Sequence, residues 1–331
     1  MGQELSNFLG ENKEIIDPLE GQKDIEKKSI RTTSSYSLKS DPLRMLRAFR
    51  FAATLKFTID EKTLKEISIN KEDIAVIAKE RVWQEFFNFF SASNTGELIR
   101  AMKETGLLLC LLPSPFPDWE KMSIHYNRLE HILLNMDSYF PGRNNNLPEK
   151  ALIKLALLLK EIDSNPLENT NNKNLGLPNT YEFLRSLKVS NNDITFICKS
   201  IQNFHFLSTS LSSNLNDSSL YDICKTCEDK LLPGLLLQAC TIPFPDKRGS
   251  KENENIVPHT KILNFYFLRY LPALEEKALL NGDDLIKIFN ITPSPVLGEA
   301  LQNIHQAQIL GEIKTPAEAE ALAAKILQPK K

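Results

Sequence analysis

At 331 residues the chain is long enough for two or three domains and a sizeable buried core. Apolar residues at 42% and charged residues at 25% match a soluble globular protein, and a net charge of −2 means that any nucleic-acid surface must be local. No apolar run approaches the roughly 20 residues that a membrane helix needs. The start, "MGQELSNFLGENKE", reads as no signal peptide and fits a myristoylation pattern only superficially, so a cytoplasmic protein without a membrane partner is expected. Five cysteines, at 110, 198, 224, 227 and 240, suggest no disulfide framework. Cys224 and Cys227 form a Cys-x-x-Cys, but zinc asks for four ligands and only Cys240 and the distant His259 could complete the set. Reduced, mostly buried thiols and no metal are expected.

Glycine numbers only 12, and long stretches repeat apolar residues three and four apart, so the chain reads as mainly α. The start is the exception: "EIIDPLEGQKDIEKKSIRT" has the short apolar pieces and turn residues of a strand, a loop and another strand. From Asp41 onward the spacing predicts helices over 41–55, 60–68, 78–91, 94–106, 119–138, 148–161, 180–187, 190–206, 217–228, 231–240, 258–279, 282–289, 295–310 and 315–327. "PGRNNNLPE", "DSNPLENTNNKNLGLPN" and "PFPDKRGSKENENIVP" read as surface loops or linkers, rich in Asn, Pro and charge. No fixed-period repeat stands out.

The first of these helices carries the chemistry. In "DPLRMLRAFRFAA", Asp41 followed by Pro42 predicts a helix start, with Asp as the cap and proline at the first helical position. Asp41 and Arg44 then share one face and offer an acceptor beside a donor fork. Adenine and cytosine both present an amino donor next to a ring-nitrogen acceptor, whereas uracil and guanine present the reverse. A fixed carboxylate plus a guanidinium could therefore favour A and C. The competing reading is that Asp41 only caps and Arg44 only pairs with it. Between Gly21 and Lys56 stand nine Lys or Arg and three Asp or Glu, a basic segment of the kind that phosphate binding requires.

"SDPLRMLRAFRFAATLKFTIDEKTLKEI" resembles the neck of class II tRNA nucleotidyltransferases (CCA-adding enzymes) and bacterial poly(A) polymerases. That family carries Glu-Asp-x-x-Arg, then a Leu-Arg-Ala-x-Arg-Phe-Ala-Ala run, then Gly-Phe-x-Ile. "IDPLEGQKDI" before it resembles the Asp-Pro-x-Gly-Gly-x-x-Asp-Leu element that closes the family's catalytic head. "KERVWQEFFNFF" after it resembles the family's Glu-Arg-x-x-x-Glu helix, and the segment from "NGDDLIKIFN" to "TPAEAEAL" is similar to its helical tail. The resemblance implies a multi-helical neck, body and tail with a short β remnant of the head: head remnant 1–38, neck 39–113, body 114–278, tail 279–331. It makes Asp41 and Arg44 the base-pairing pair for incoming ATP or CTP, and Arg47 and Arg50 contacts for RNA phosphate. Salt bridges from Arg47 and Arg50 to Glu80 or Glu85 remain the alternative. Glu80, Arg81 and Glu85 would buttress the neck, and Asp17 and Asp24 would support the nucleotide site from the head side.

Two departures stand beside these matches: Ser40 occupies the place of the family's Glu, and Glu20 replaces one of its paired glycines. The family transfers nucleotides with carboxylates in an Asp-x-Asp that hold Mg2+, and neither Asp-x-Asp nor the family's Arg-Arg-Asp element occurs in these residues. No catalytic residue is therefore assigned, and activity is expected only with a separately supplied head domain. "HYNRLEHILLNM" and "ALIKLALLLKEID" resemble an HD phosphohydrolase domain in which His125 or His131 would be the first ligand. Lys160 and Glu161 fall where the His-Asp pair belongs, so a degenerate HD-like body is expected. His205, His259 and His305 are isolated. Three functions follow as alternatives: the RNA-holding (tRNA 3′-end) and nucleotide-selecting portion of a nucleotidyltransferase, a non-catalytic RNA-binding protein, or a helical scaffold derived from the family.

Overall fold

The computed structural model describes residues 16–34, 36–113, 118–140, 147, 149–163, 176–211, 215–242 and 253–327. The three expected loops, 141–149, 163–179 and 243–258, lie largely outside the described residues, as does the first part of the head segment. The chain divides into two compact units: residues 1–136 with 144–201, and residues 137–143 with 202–331.

The first unit contains α1 (Gly21–Glu26), β1 (Ser29–Ile30), α2 (Ser37–Ser40), α3 (Arg44–Leu55), β2 (Thr58–Ile59), α4 (Glu61–Asn70), a 3-10 turn (Lys71–Val76), α5 (Lys79–Ser91), α6 (Gly96–Glu104), α7 (Leu107–Leu111) and α8 (Trp119–Leu134). After the short α9 (Met136–Tyr139) it adds α10 (Lys150–Leu159), α11 (Pro178–Ser186) and the first half of α12 (Asn191–Ser210). The expected strand–loop–strand at the start is corrected over its described residues, 16–32. "GQKDIE" is a helix, because the Asp17 carboxylate accepts the N–H groups of Gly21 and Gln22 at 2.7 and 2.8 Å and satisfies the first turn. Among the described residues of that segment only Ser29–Ile30 is a strand, and it pairs in parallel with Thr58–Ile59 from beyond α3.

α3 buries Met45, Leu46, Ala48, Phe49, Ala52 and Ala53 and packs on α5, which buries Val82, Phe86, Phe89 and Phe90. α10 has every residue from Ala151 to Leu159 buried, all apolar except Lys154, and forms the centre of this unit against α5 and α8. The expected helix 119–138 is two helices, broken at Asn135, whose side-chain amide donates to the His131 carbonyl at 2.9 Å.

The second unit holds the rest of α12, then α13 (Asp217–Cys227), α14 (Leu231–Ala239), α15 (Asn253–Phe265), which passes through a π turn (Tyr266–Tyr270) into α16 (Leu271–Glu275), and α17 (Gly282–Phe289), α18 (Pro295–Leu310) and α19 (Pro316–Leu327). The last three helices build a small core from Leu285, Leu297, Ala300, Ile304, Ala319 and Ala323. The described residues are predominantly helical, with two short strands, as the spacing predicts. No helix among them is long and apolar enough to cross a membrane.

Candidate functional site

The site forms at the start of α3, and its first feature corrects an expectation. Asp41 does not cap the helix. The one-turn α2 runs directly into it, and Asp41 is extended (φ −148°, ψ 92°), the conformation that a following proline imposes. Pro42 and Leu43 make a turn, and regular helix begins at Arg44, whose N–H donates to the Asp41 carbonyl at 3.0 Å with no side-chain cap. The Asp41 carboxylate instead lies 4.0 Å from Arg44 Nε and 3.8 Å from Arg81 Nη2. Arg44 Nη1 turns back on α2 and donates to the Ser37 carbonyl and Oγ, each at 3.1 Å.

One turn further on, Arg47 and Arg50 both reach Glu85 of α5, Nε to carboxylate at 3.8 and 2.5 Å. Glu85 is their partner. Glu80 lies exposed in the first turn of α5, where a carboxylate suits the helix dipole. Arg50 also covers the Phe51 ring, its guanidinium carbon 4.0 Å from the ring centroid. Of the three α3 arginines, Arg50 is the most tightly held.

The β1–β2 ladder brings a further segment to this helix. The Lys28 and Ile30 carbonyls accept from the N–H groups of Thr58 and Asp60 at 2.9 and 3.0 Å. The Asp60 carboxylate then caps α4 by accepting from the amides of Lys62 and Thr63. Thr63 Oγ1 accepts the Thr32 N–H at 3.0 Å, and Thr32 Oγ1 donates to Glu66 at 2.8 Å. These bonds hold residues 30–33 beside α3 and leave a cleft of about 360 Å³ whose lining includes Arg31, Thr32, Ser37, Arg44, Arg47 and Phe51. That volume lies within the range of small-molecule sites.

Arg31 is the functional candidate that sequence reasoning missed. Asp24 grips it with two parallel hydrogen bonds, Nε to Oδ1 at 3.0 Å and Nη2 to Oδ2 at 2.9 Å, and Nη2 also donates to the Leu19 carbonyl. Those bonds raise the guanidinium's pKa still further. Asp24 therefore acts on the cleft through Arg31, whereas Asp17 serves the start of α1, its carboxyl held below the usual range by the two backbone N–H groups it accepts. The surplus of cations between Gly21 and Lys56 was the signal that could have pointed to Arg31.

In the body, His125 of α8 is 5% exposed, and burial, with Lys160, Lys121 and Arg128 adding to it, pulls its imidazole down to about 4. Lys160 is buried and pairs with Glu161 at 2.6 Å. Cys198, Cys224 and Cys227 are buried thiols that burial pushes up to about 12, and Cys110 is exposed. Among the described residues no group of three His, Cys, Asp or Glu side chains is placed to hold a metal ion. Asp24, Asp41 and Glu85 all face arginines and the cleft lining includes no carboxylate, so this donor set does not fit a magnesium ion. A cleft with three arginines and several hydroxyls does suit a phosphate-bearing ligand.

Two family models match the chain: residues 56–117 match the RNA- and SrmB-binding site of polymerase A, and residues 173–326 match tRNA nucleotidyltransferase domain 2. The chain is 24% identical to the A-adding tRNA nucleotidyltransferase of Deinococcus radiodurans, over 95% of this chain and 74% of that protein. It is also 24% identical to the CC-adding tRNA nucleotidyltransferase of Geobacter sulfurreducens, over 94% and 69%. Among solved structures, a CCA-adding enzyme with ATP superposes with TM-score 0.61 at 21% identity, covering 96% of this chain and 67% of that one. The Thermotoga maritima CCA-adding enzyme complexed with tRNA superposes with TM-score 0.64 at 21% identity, covering 94% and 68%. Together these matches support a member of the CCA-adding and poly(A) polymerase-like nucleotidyltransferase family. The resemblance read from the motifs holds, and the helical architecture matches that of solved CCA-adding enzymes. Measured against these family members, the chain spans about two thirds to three quarters of their length.

Proposed function

We propose that this chain is the RNA-holding and nucleotide-selecting portion of a cytoplasmic nucleotidyltransferase acting at the 3′ end of tRNA. In this reading Asp41 and Arg44 read the pairing edge of an incoming ATP or CTP, while Arg31 and Arg47 meet phosphate. The convergence of Arg31, Arg44 and Arg47 on one cleft beside Asp41 supports this most directly. Group transfer then needs metal-holding carboxylates from a catalytic head, because the 331 residues contain no Asp-x-Asp and the cleft lining includes no carboxylate. That head acts either in continuity with these residues or in trans. The absence of Asp-x-Asp also favours a second reading, an RNA-binding protein without catalysis.

The test combines the chain with a related head domain, by fusion or in trans, and measures addition of each of the four nucleotides to tRNA with magnesium present. The chain alone is expected to add none. With the head, Arg44→Ala is expected to lower the preference for ATP and CTP by about ten-fold to a hundred-fold, the loss of one paired base contact. Nucleotide choice unchanged by Arg44→Ala would sink the base-reading role, and tRNA binding without any addition by the assembled protein would favour the second reading.

A further inference from the structure

The cleft has an aromatic wall that the phosphate and base-edge contacts do not use. Phe51 lines it on the same face of α3 as Arg44, Arg47 and Ala48, at helical spacings of three and four. The ring is half-buried, and Arg50 covers it from 4.0 Å while Glu85 fixes that guanidinium at 2.5 Å. Arg47 stands off at 5.6 Å, is 42% exposed, and is held to Glu85 only at 3.8 Å. The two arginines therefore divide: Arg50 is locked to the ring, and Arg47 is available to the cleft. Around Phe51 the lining is apolar at Ala48, Leu38 and Ile30, while the cations sit at Arg31 and Arg44. An apolar floor beside a cationic rim matches a nucleotide, whose base is flat and whose phosphate is charged.

We propose that Phe51 is a stacking platform for a base of single-stranded RNA, held rigid by the Arg50–Glu85 pair. This deepens the RNA-binding reading and rests on it. An aromatic ring accepts any base, since every base has a flat π face, so the platform supplies affinity and position rather than sequence choice. Arg50 is then a positioning residue that acts through the ring.

The test measures binding of a short single-stranded oligoadenylate to the full chain over a range of salt, beside an abasic oligonucleotide of equal length. Wild type is expected to favour the oligoadenylate. Phe51→Leu, which keeps the wall apolar, is expected to weaken oligoadenylate binding about ten-fold, to leave abasic binding alone and to keep the salt slope, because no phosphate contact is lost. Phe51→Trp is expected to restore affinity and to show fluorescence quenching on binding. Arg47→Gln is expected to do the opposite, lowering the salt slope by about one with both ligands. Equal affinities of wild type and Phe51→Leu, with salt-dependent binding intact, would overturn the platform and leave the RNA-binding reading standing. No salt-dependent binding by wild type would overturn both.

Discussion

The first unit contains two regions that handle charge in opposite ways. At its centre, Glu130 of α8 and Lys154 of α10 meet at 2.7 Å, and both are almost fully buried. Every contact there is closed inside the fold. Glu130 accepts from the amides of Asn94 and Thr95 and from the Thr95 hydroxyl, and Lys154 donates to the Ala92 carbonyl. The start of α6 is thus tied to α8 and α10. Gly96 allows the approach, since a Cβ there would fall 2.0 Å from the Asn127 side-chain oxygen. Beside the cleft, by contrast, the Asp41 carboxylate stands 4.0 Å from Arg44 and 3.8 Å from Arg81, and the Arg44 side chain is 47% exposed. A buried pair must be complete or it destabilises the fold, whereas a loose exposed pair contributes little to stability and keeps its hydrogen-bonding capacity for a ligand. The difference separates charge used for architecture from charge available for binding.

The largest expected effect comes from breaking the closed network. Glu130→Ala leaves Lys154 charged and unpaired among apolar side chains and is expected to destabilise the protein by about 3–5 kcal/mol in denaturant unfolding. Burial pushes the Glu130 carboxyl up, but Lys154 and the Thr95 donors more than offset this, so it titrates below the usual range. Its stabilisation is therefore full above the ordinary glutamate pKa and is lost as pH falls through the lower folded value. A cost for Glu130→Ala as small as that of an exposed pair would break the contrast between the two regions.

His125, on the same helix as Glu130, tests the acid side of the same centre. Its folded pKa of about 4 lies below the ordinary 6.5, because burial and neighbouring cations disfavour the imidazolium. A histidine depressed in this way contributes stability that is complete above pH 6.5 and is lost as pH falls toward 4. The loss by pH 4 is expected to be on the order of 2–3 kcal/mol. His125→Phe removes this titration, so the difference between wild-type and variant unfolding midpoints should grow steadily between pH 7 and pH 4. A constant difference would mean that the imidazole is not held neutral.

How far these features were legible in the sequence depends on how local their causes are. α17 and α18 could be read to the residue because their signals are adjacent: Asn281 forms a capping box with Asp284, Asn290 ends the helix at positive φ, Ser294 caps the next one ahead of Pro295, and Gly311 closes it. The start misled because β1 finds its partner only at Thr58, beyond α3, so nothing within "KDIEKKSIRT" marks which part is strand. The cleft was half legible. Arg44, Arg47 and Arg50 share one helix with Asp41 just ahead of it, and all four announce themselves by spacing. Arg31, Thr32 and Thr63 join them only through the parallel ladder and the Asp60 cap of α4, which no window of consecutive residues shows. The preference of Arg47 and Arg50 for Glu85 likewise follows from how α3 packs on α5.

The smallest expected effect on stability is also the sharpest test of the cleft. Had Asp41 capped α3, its replacement by alanine would remove a cap worth about 1 kcal/mol, and any change in nucleotide choice would be entangled with a frayed helix. The structure removes that complication. Asp41 is extended behind α2, accepts the Arg44 N–H through its backbone carbonyl, which alanine retains, and presents its carboxylate to Arg44 and Arg81 at 4.0 and 3.8 Å. Two partly exposed pairs at those distances are worth little, so Asp41→Ala is expected to change stability by less than about 0.5 kcal/mol in thermal or denaturant unfolding. The same variant removes the acceptor of the proposed base-reading pair. With a head domain present it is therefore expected to lose the preference for ATP and CTP while its unfolding midpoint stays in place. A loss of about 1 kcal/mol would restore the capping role to Asp41. A change in neither stability nor nucleotide choice would leave the carboxylate without the function that its place beside the cleft suggests.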